Sequence, residues 1–144
     1  MPRALVDTTV LFAAAYRRDS AHDDALPILR GIDTADLPEA VILDYVLAET
    51  LNGLTTHASH DAAVDFLGRI EENTRFYIDS LTADGFATAK ALFRQHGQFS
   101  FVDACTVAYM QVEGLGYLYA FDNDFDAAED VSRLDVATNP YQPG

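Results

Sequence analysis

The chain has 144 residues, a length that suits a single domain, and its net charge is −14 because 23 Asp and Glu face only nine Lys and Arg. Its apolar runs are far shorter than the roughly 18 residues that span a membrane, and its one cysteine, Cys105, excludes an internal disulfide and a cysteine zinc site. The charge also argues against a broad basic face for nucleic acid. We expect a soluble, cytoplasmic protein that does not associate with membranes.

The excess of acidic over basic residues indicates a host that lives in concentrated salt. The chain has one lysine, Lys90, and an acidic surface of this kind repels itself at low ionic strength. That repulsion weakens at about 1 M salt, where the Debye length shrinks to about 3 Å. We therefore predict a halophilic protein.

Short apolar runs alternate with segments of helical periodicity along the whole chain. The predicted strands are, in order, 4–6, 37–43, 76–78, 117–121 and 134–136. The predicted helices are 10–16, 23–32, a helix from about 44, 61–72, 82–96 and 101–112. This alternation predicts an α/β fold, with a short parallel sheet of four to five strands between two layers of helices. We expect one domain over residues 1–139 and a loose tail over 140–144.

Four carboxylates lie where apolar runs end or inside them: Asp7, Glu49, Asp103 and Asp122. Buried carboxylates are costly unless they are paired, hydrogen-bonded or bound to metal, and the chain has too few cations to pair them all. In open α/β sheets, ligands bind beyond the carboxyl ends of the strands. The four acids are therefore expected to converge at one end of the sheet and to hold a divalent metal ion.

Three of these acids also have a purely structural explanation. Asp7 can cap the following helix, Asp103 completes a capping box that begins at Ser100, and Asp122 fits a turn. Glu49 has no such explanation, because it lies in the middle of a predicted helix. A chance coincidence of all four is less plausible than a shared site.

Four segments in this order resemble the PIN-domain ribonucleases, and the chain's size resembles the VapC-type toxins of toxin–antitoxin pairs. The matching segments are Val6-Asp7-Thr8-Thr9-Val10-Leu11, Leu47-Ala48-Glu49-Thr50-Leu51, Ser100-Phe101-Val102-Asp103-Ala104 and Phe121-Asp122-Asn123-Asp124-Phe125. Together they extend over nearly the whole chain.

The resemblance implies that Asp7, Glu49, Asp103 and Asp122 are the catalytic acids that hold Mg²⁺ or Mn²⁺. Hard oxygen ligands of this kind suit Mg²⁺, and a pair of such ions can clamp the attacking and leaving oxygens of a phosphodiester. Three residues would support the site, namely Thr9, Ser100 and Asp124. One position departs from the pattern, because many relatives carry Thr or Ser where this chain has Ala120.

The implied function is a metal-dependent endoribonuclease, the toxin of a type II toxin–antitoxin system. Its partners would be an RNA substrate, a small antitoxin protein and, as a homodimer, a second copy of itself. A catalytically weakened PIN-like assembly module is the alternative that Ala120 leaves open. Another Mg²⁺-dependent phosphohydrolase fits poorly, since Thr9 occupies the place of its second aspartate. A receiver domain also fits poorly, since the only lysine precedes Asp103.

Overall fold

The computed structural model describes residues 2–142, in which five strands and six α-helices alternate as the sequence predicts. The strands are β1 (Arg3–Val6), β2 (Glu39–Leu43), β3 (Phe76–Asp79), β4 (Tyr117–Tyr119) and β5 (Ser132–Leu134). The helices are α1 (Thr8–Ala15), α2 (His22–Asp33), α3 (Asp44–His57), α4 (His60–Glu72), α5 (Ala83–Gln95) and α6 (Phe101–Glu113), and a short 3₁₀ helix covers Asn123–Ala127.

All five strands are parallel and lie in the order β3-β2-β1-β4-β5. Residues 4–6 of β1 and 40–43 of β2 are buried without alternation, which is the pattern of strands covered on both faces. The largest helix contacts join α1 to α2, α3 to α4, and α5 to α6. The predicted three-layer α/β/α class with a short parallel sheet is therefore confirmed.

The strand order fixes where a ligand site can form. From β1 the chain builds outward to β2 and β3, and it then returns to the other side of β1 with β4 and β5. The connections therefore leave β1 and β4 in opposite directions. The crevice beyond the carboxyl ends of these two strands is the topological switch point, where open α/β sheets bind ligands.

The last two strands differ in extent from the prediction. β4 ends at Tyr119 rather than residue 121. The Ala120 N–H still donates to the Leu134 carbonyl, but the Phe121 N–H donates to the Thr9 side chain instead of to a neighbouring strand. β5 pairs Leu134 with Tyr119 and therefore begins and ends two residues earlier than predicted. Both differences come from contacts between distant parts of the chain.

Residues of the C-terminal segment, for which the sequence predicts a loose tail over 140–144, contact the domain at two points. The Asn139 side-chain amide donates to the Asp36 carbonyl, and the Tyr141 hydroxyl donates to the Arg3 carbonyl. The Tyr141 ring also contacts the edge of Tyr117. Pro143 and Gly144, like Met1, lie outside the described residues. Within residues 2–142, every helix is too short or too polar to cross a lipid bilayer.

Candidate active site

Asp7 lies at the carboxyl end of the central strand and is almost completely buried, with 3% of its surface exposed. It caps α1, and the backbone N–H and the hydroxyl of Thr9 both donate to its Oδ2, at 3.2 and 2.7 Å. The pKa of Asp7 is raised to about 6, chiefly by burial; the hydrogen bonds from Thr9 act to lower this pKa, and the charge of Asp103 acts to raise it. Asp7 is thus both the N-cap of α1 and a carboxylate whose pKa is raised.

Thr9 connects the two segments that follow the central strands β1 and β4, at the edge of the crevice. While its hydroxyl donates to Asp7, the same oxygen accepts the Phe121 N–H at 3.0 Å. The first turn of α1 is therefore tied to the segment that follows β4. Because of this hydrogen bond, the Phe121 N–H takes no part in the pairing of β4 with a neighbouring strand.

Asp103 lies in the first turn of α6 and forms the predicted capping box. Its backbone N–H donates to the Ser100 hydroxyl at 3.1 Å, and its Oδ2 accepts the Ser100 N–H at 3.2 Å. Partial burial raises the pKa of Asp103, the hydrogen bonds of Ser100 lower it, and the charges of Asp122 and Glu49 raise it. The cap and the electrostatic coupling are therefore features of the same carboxylate.

Asp122 and Asp124 complete a group of three carboxylates with Asp103. Asp122 caps the 3₁₀ helix, and its Oδ1 accepts the Asp124 N–H at 2.9 Å. One carboxylate oxygen from each of Asp103, Asp122 and Asp124 lies within 4.8 Å of the others. The charge of Asp122 raises the pKa of Asp124.

Glu49 lies on α3 and is exposed, so the expectation that the four carboxylates are buried or half-buried is wrong for this residue. The helical turn sends Val46, Thr50 and Leu54 into the core and leaves Glu49 on another face. That face looks into the same crevice, because Glu49 lines it and its charge acts on Asp103.

The crevice is a cleft of about 520 Å³ that contains all four predicted acids. Among residues 2–142, its lining has no lysine or arginine but six carboxylates: Asp7, Asp19, Glu49, Asp103, Asp122 and Asp124. Of the residues described, no histidine contributes to this lining. The predicted supporting residues Thr9, Ser100 and Asp124 line the cleft as well.

Sequence reasoning missed Asp19 and the aromatic residue Phe12. Asp19 lies in the turn after α1, where its Oδ1 accepts the Ala21 N–H at 2.8 Å. In the sequence it looks like an ordinary loop residue after Arg17 and Arg18, and only the path of the chain brings it to the cleft. Phe12 belongs to an apolar helical run and gives no separate signal.

Ala120, the position that departs from the family pattern, is fully buried. It is absent from the described residues that line the cleft. Its backbone N–H donates to the Leu134 carbonyl, and its carbonyl accepts from Arg133. The departure therefore leaves the carboxylates of the cleft in place.

Residues 4–131 match the family model of the PIN domain. The chain belongs to the PIN-domain family. The match spans the cleft acids from Asp7 to Asp124.

Among individual relatives, this PIN domain is 32% identical over 125 residues to the 23S rRNA-specific endonuclease VapC20 of Mycobacterium tuberculosis, strains CDC 1551 / Oshkosh and H37Rv. The alignment covers 85% of this chain and 92% of the relative. The crystal structure of M. tuberculosis VapC20, described as a sarcin–ricin loop cleaving toxin, superposes with a TM-score of 0.76 at 31% identity, over 87% of this chain and 94% of that one.

Two more distant structures share the fold. A toxin–antitoxin complex from Klebsiella pneumoniae superposes with a TM-score of 0.62 at 21% identity, over 90% of this chain and 95% of that one. VapBC2 from Rickettsia felis, bound to a DNA fragment from its promoter, gives a TM-score of 0.69 at 15% identity, over 92% and 98%. At these identities the likeness concerns the fold alone.

Proposed function

We propose that this PIN domain is a Mg²⁺- or Mn²⁺-dependent endoribonuclease and the toxin of a type II toxin–antitoxin pair. The observation that carries the proposal is the six-carboxylate cleft at the switch point, in a chain 32% identical to an rRNA endonuclease. Carboxylates without nearby cations are suited to a metal ion, and a phosphodiester could not approach them otherwise.

The donor set fits a hard divalent cation. The oxygens of Asp103, Asp122 and Asp124 are close enough to share one ion. We assign Asp7, Glu49, Asp103 and Asp122 as the catalytic acids and metal ligands, with Asp124 beside them. When bound, the ion would supply positive charge to the phosphate and a nucleophilic water at neutral pH.

The chain's own contacts would hold these carboxylates in place. Thr9 fixes the Oδ2 of Asp7, and Ser100 fixes Asp103 through both hydrogen bonds of the capping box. Preformed hydrogen bonds of this kind orient ligands and tune their basicity. We assign Thr9, Ser100 and Asp124 as supporting residues on this ground.

As the substrate we propose the sarcin–ricin loop of large-subunit ribosomal RNA, because the VapC20 relative is described as cleaving it. The partners we propose are a small antitoxin and a second copy of the chain, acting in the cytoplasm. Co-expression with the protein encoded beside it, followed by size-exclusion chromatography, tests both partners.

The test of activity is cleavage of a synthetic sarcin–ricin hairpin in high salt, with Mn²⁺ and with EDTA. We expect cleavage at one position with Mn²⁺ and none with EDTA. A folded protein that leaves the hairpin and total ribosomal RNA intact in Mn²⁺ would contradict the proposal and favour the assembly module.

A further inference from the structure

Within the described part of the chain, the lining of the acidic cleft offers no cationic side chain that could bind the phosphates of an RNA backbone. Its six carboxylates are accompanied by no lysine or arginine among the described lining residues. Metal ions could neutralise the scissile phosphate, but they would not hold the neighbouring nucleotides. The large apolar groups that line the cleft are the rings of Phe12 and Phe121.

Phe12 belongs to a cluster of three rings beside the acids, which we name the aromatic wall: Phe12, Tyr16 and His57. The Phe12 ring centroid lies 5.2 Å from that of Tyr16 and 5.8 Å from that of His57, which meets it edge-on. Tyr16 and His57 are 6.3 Å apart. Such tilted and edge-on contacts are the favoured geometry of aromatic pairs, and they fix the plane of Phe12.

Gly53 lets the Phe12 ring lie directly on α3. A Cβ at position 53 would come within 3.2 Å of Cδ1 and Cε1 of Phe12. Gly53 lies inside α3, where glycine is a poor helix former. The ring is therefore supported from behind by a helix backbone, while Phe12 itself is only half-buried and lines the cleft.

We propose that Phe12 stacks an unpaired base of the RNA, in the nucleotide next to the scissile phosphate. The inference rests on the proposed ribonuclease function and names a substrate subsite for it. Unpaired RNA bases stack on aromatic side chains, and this contact needs no positive charge. The subsite selects loops and single strands, because a base held in a duplex cannot turn onto the ring.

The test measures binding separately from cleavage. The Asp103→Asn protein with excess Mn²⁺ serves as the common background, so that the RNA stays whole while the other five carboxylates of the cleft can still hold a cation, and a fluorescently labelled single-stranded RNA decamer is the probe. Fluorescence anisotropy gives its Kd for Phe12, Phe12→Leu and Phe12→Tyr. Leucine keeps an apolar side chain against α3 without a π face, whereas tyrosine keeps the ring.

We expect Phe12→Leu to raise the Kd about tenfold, in line with the stacking of one base, and Phe12→Tyr to restore it. Phe93→Leu is the matched control, because Phe93 is an exposed ring on α5 outside the cleft lining, and it should leave the Kd unchanged. Gly53→Ala, which pushes on the ring, should weaken binding less than Phe12→Leu.

Decamers that carry a single abasic ribose at successive positions locate the stacked base. At one position the abasic decamer should bind the Phe12 protein about tenfold more weakly, and Phe12→Leu should then cause no further loss. Melting curves establish that each variant is folded.

Three results would each overturn the inference: Phe12→Leu binds as tightly as Phe12, no abasic position distinguishes the two proteins, or the background protein does not bind the decamer. The hairpin assay of the unsubstituted protein reports separately on the proposed function, because it measures cleavage and not the contribution of the ring.

Discussion

Each of the five strands ends at an aspartate or is followed by one within three residues, but these aspartates have two different surroundings. Those after the central strands β1 and β4, Asp7 and Asp122, line the cleft. The other three, at the ends of β2, β3 and β5, have protein partners outside it, and the first of them, Asp44, accepts the Tyr45 N–H at 2.9 Å. Asp79 accepts the Tyr109 hydroxyl at 2.7 Å, and Asp135 lies 3.8 Å from Arg133.

The same sequence signal therefore gives a carboxylate with protein partners outside the cleft after β2, β3 and β5, and a cleft carboxylate after β1 and β4. The difference comes from strand order, since only at the switch point do connections leave in opposite directions and open a crevice. At the other strand ends a neighbouring donor satisfies the acid. Aspartate after a strand is thus a weak signal until the neighbours of that strand are known.

The largest expected effect separates the acids that line the cleft from those outside it by activity. Asp103→Asn should reduce hairpin cleavage by at least about a hundredfold, because it removes one of the proposed metal ligands. Asp79→Asn should leave cleavage within about twofold, since its amide oxygen can still accept from Tyr109. Initial rates in Mn²⁺ measure both.

Glu49→Gln extends the same assay. Glu49 is exposed, so its loss should lower cleavage with little change in melting temperature. Equal cleavage rates for Asp103→Asn and Asp79→Asn would contradict the distinction between acids that line the cleft and acids outside it.

The pH dependence of stability offers a second way to distinguish a cleft acid, Asp7, from an acid outside the cleft. Its pKa is raised to about 6 when folded, against about 4 in the unfolded chain. Between these values the folded state holds the proton that the unfolded state has lost. Without metal, the free energy of unfolding should therefore fall as pH rises from about 4 to about 6, by about 3 kcal/mol from this group.

Asp7→Asn should abolish that fall, and urea unfolding at a series of pH values measures it. Asp79→Asn is the edge control and should retain the pH dependence of the parent. A fall of the same size in Asp7→Asn would mean that burial of Asp7 does not cause it.

Metal binding should stabilise the protein through the acids that line the cleft and not through those outside it. At a Mn²⁺ concentration a hundred times the Kd, binding adds about 2.7 kcal/mol, or roughly 8 °C in melting temperature for a domain of this size. Asp103→Asn should lose most of this rise, whereas Asp135→Asn should keep it. A full rise in Asp103→Asn, recorded by differential scanning fluorimetry, would place the metal elsewhere.

A smaller effect is expected at the Thr9 hydroxyl, which joins the segments that follow β1 and β4. Thr9→Val removes the hydroxyl that donates to Asp7 and leaves the Phe121 N–H without its acceptor, so it should cost about 1–3 kcal/mol of unfolding free energy. Thr9→Ser keeps the hydroxyl and is the matched control. Equal losses in both variants would trace the effect to the methyl group instead.

The smallest effect concerns the acids outside the cleft. If they form a salt-adapted surface, the parent should melt at least about 3 °C higher in 2 M KCl than in 0.1 M, about 1 kcal/mol at this size. Asp103→Asn should show the same salt response, because Asp103 lines the cleft and the acids outside it are unchanged. Equal melting temperatures of the parent in both salts would contradict the halophilic prediction.

The sequence by itself determined the class of fold and the local geometry around several site residues. Alternating apolar runs specify strands and helices through contacts between near neighbours, and the capping box of Ser100 and Asp103 depends on residues three apart. The motif order carried the resemblance to PIN ribonucleases. These features are local, so they can be predicted without knowledge of how the elements pack.

Tertiary structure alone decided which acids meet. Strand order brought Asp7 and Asp122 together and left Asp79 and Asp135 at the edges, and the path of the turn after α1 added Asp19. Helix packing exposed Glu49 and placed the Phe12 ring on Gly53. Each of these contacts joins residues on different elements, so its partners depend on non-local packing that no periodicity in the sequence encodes.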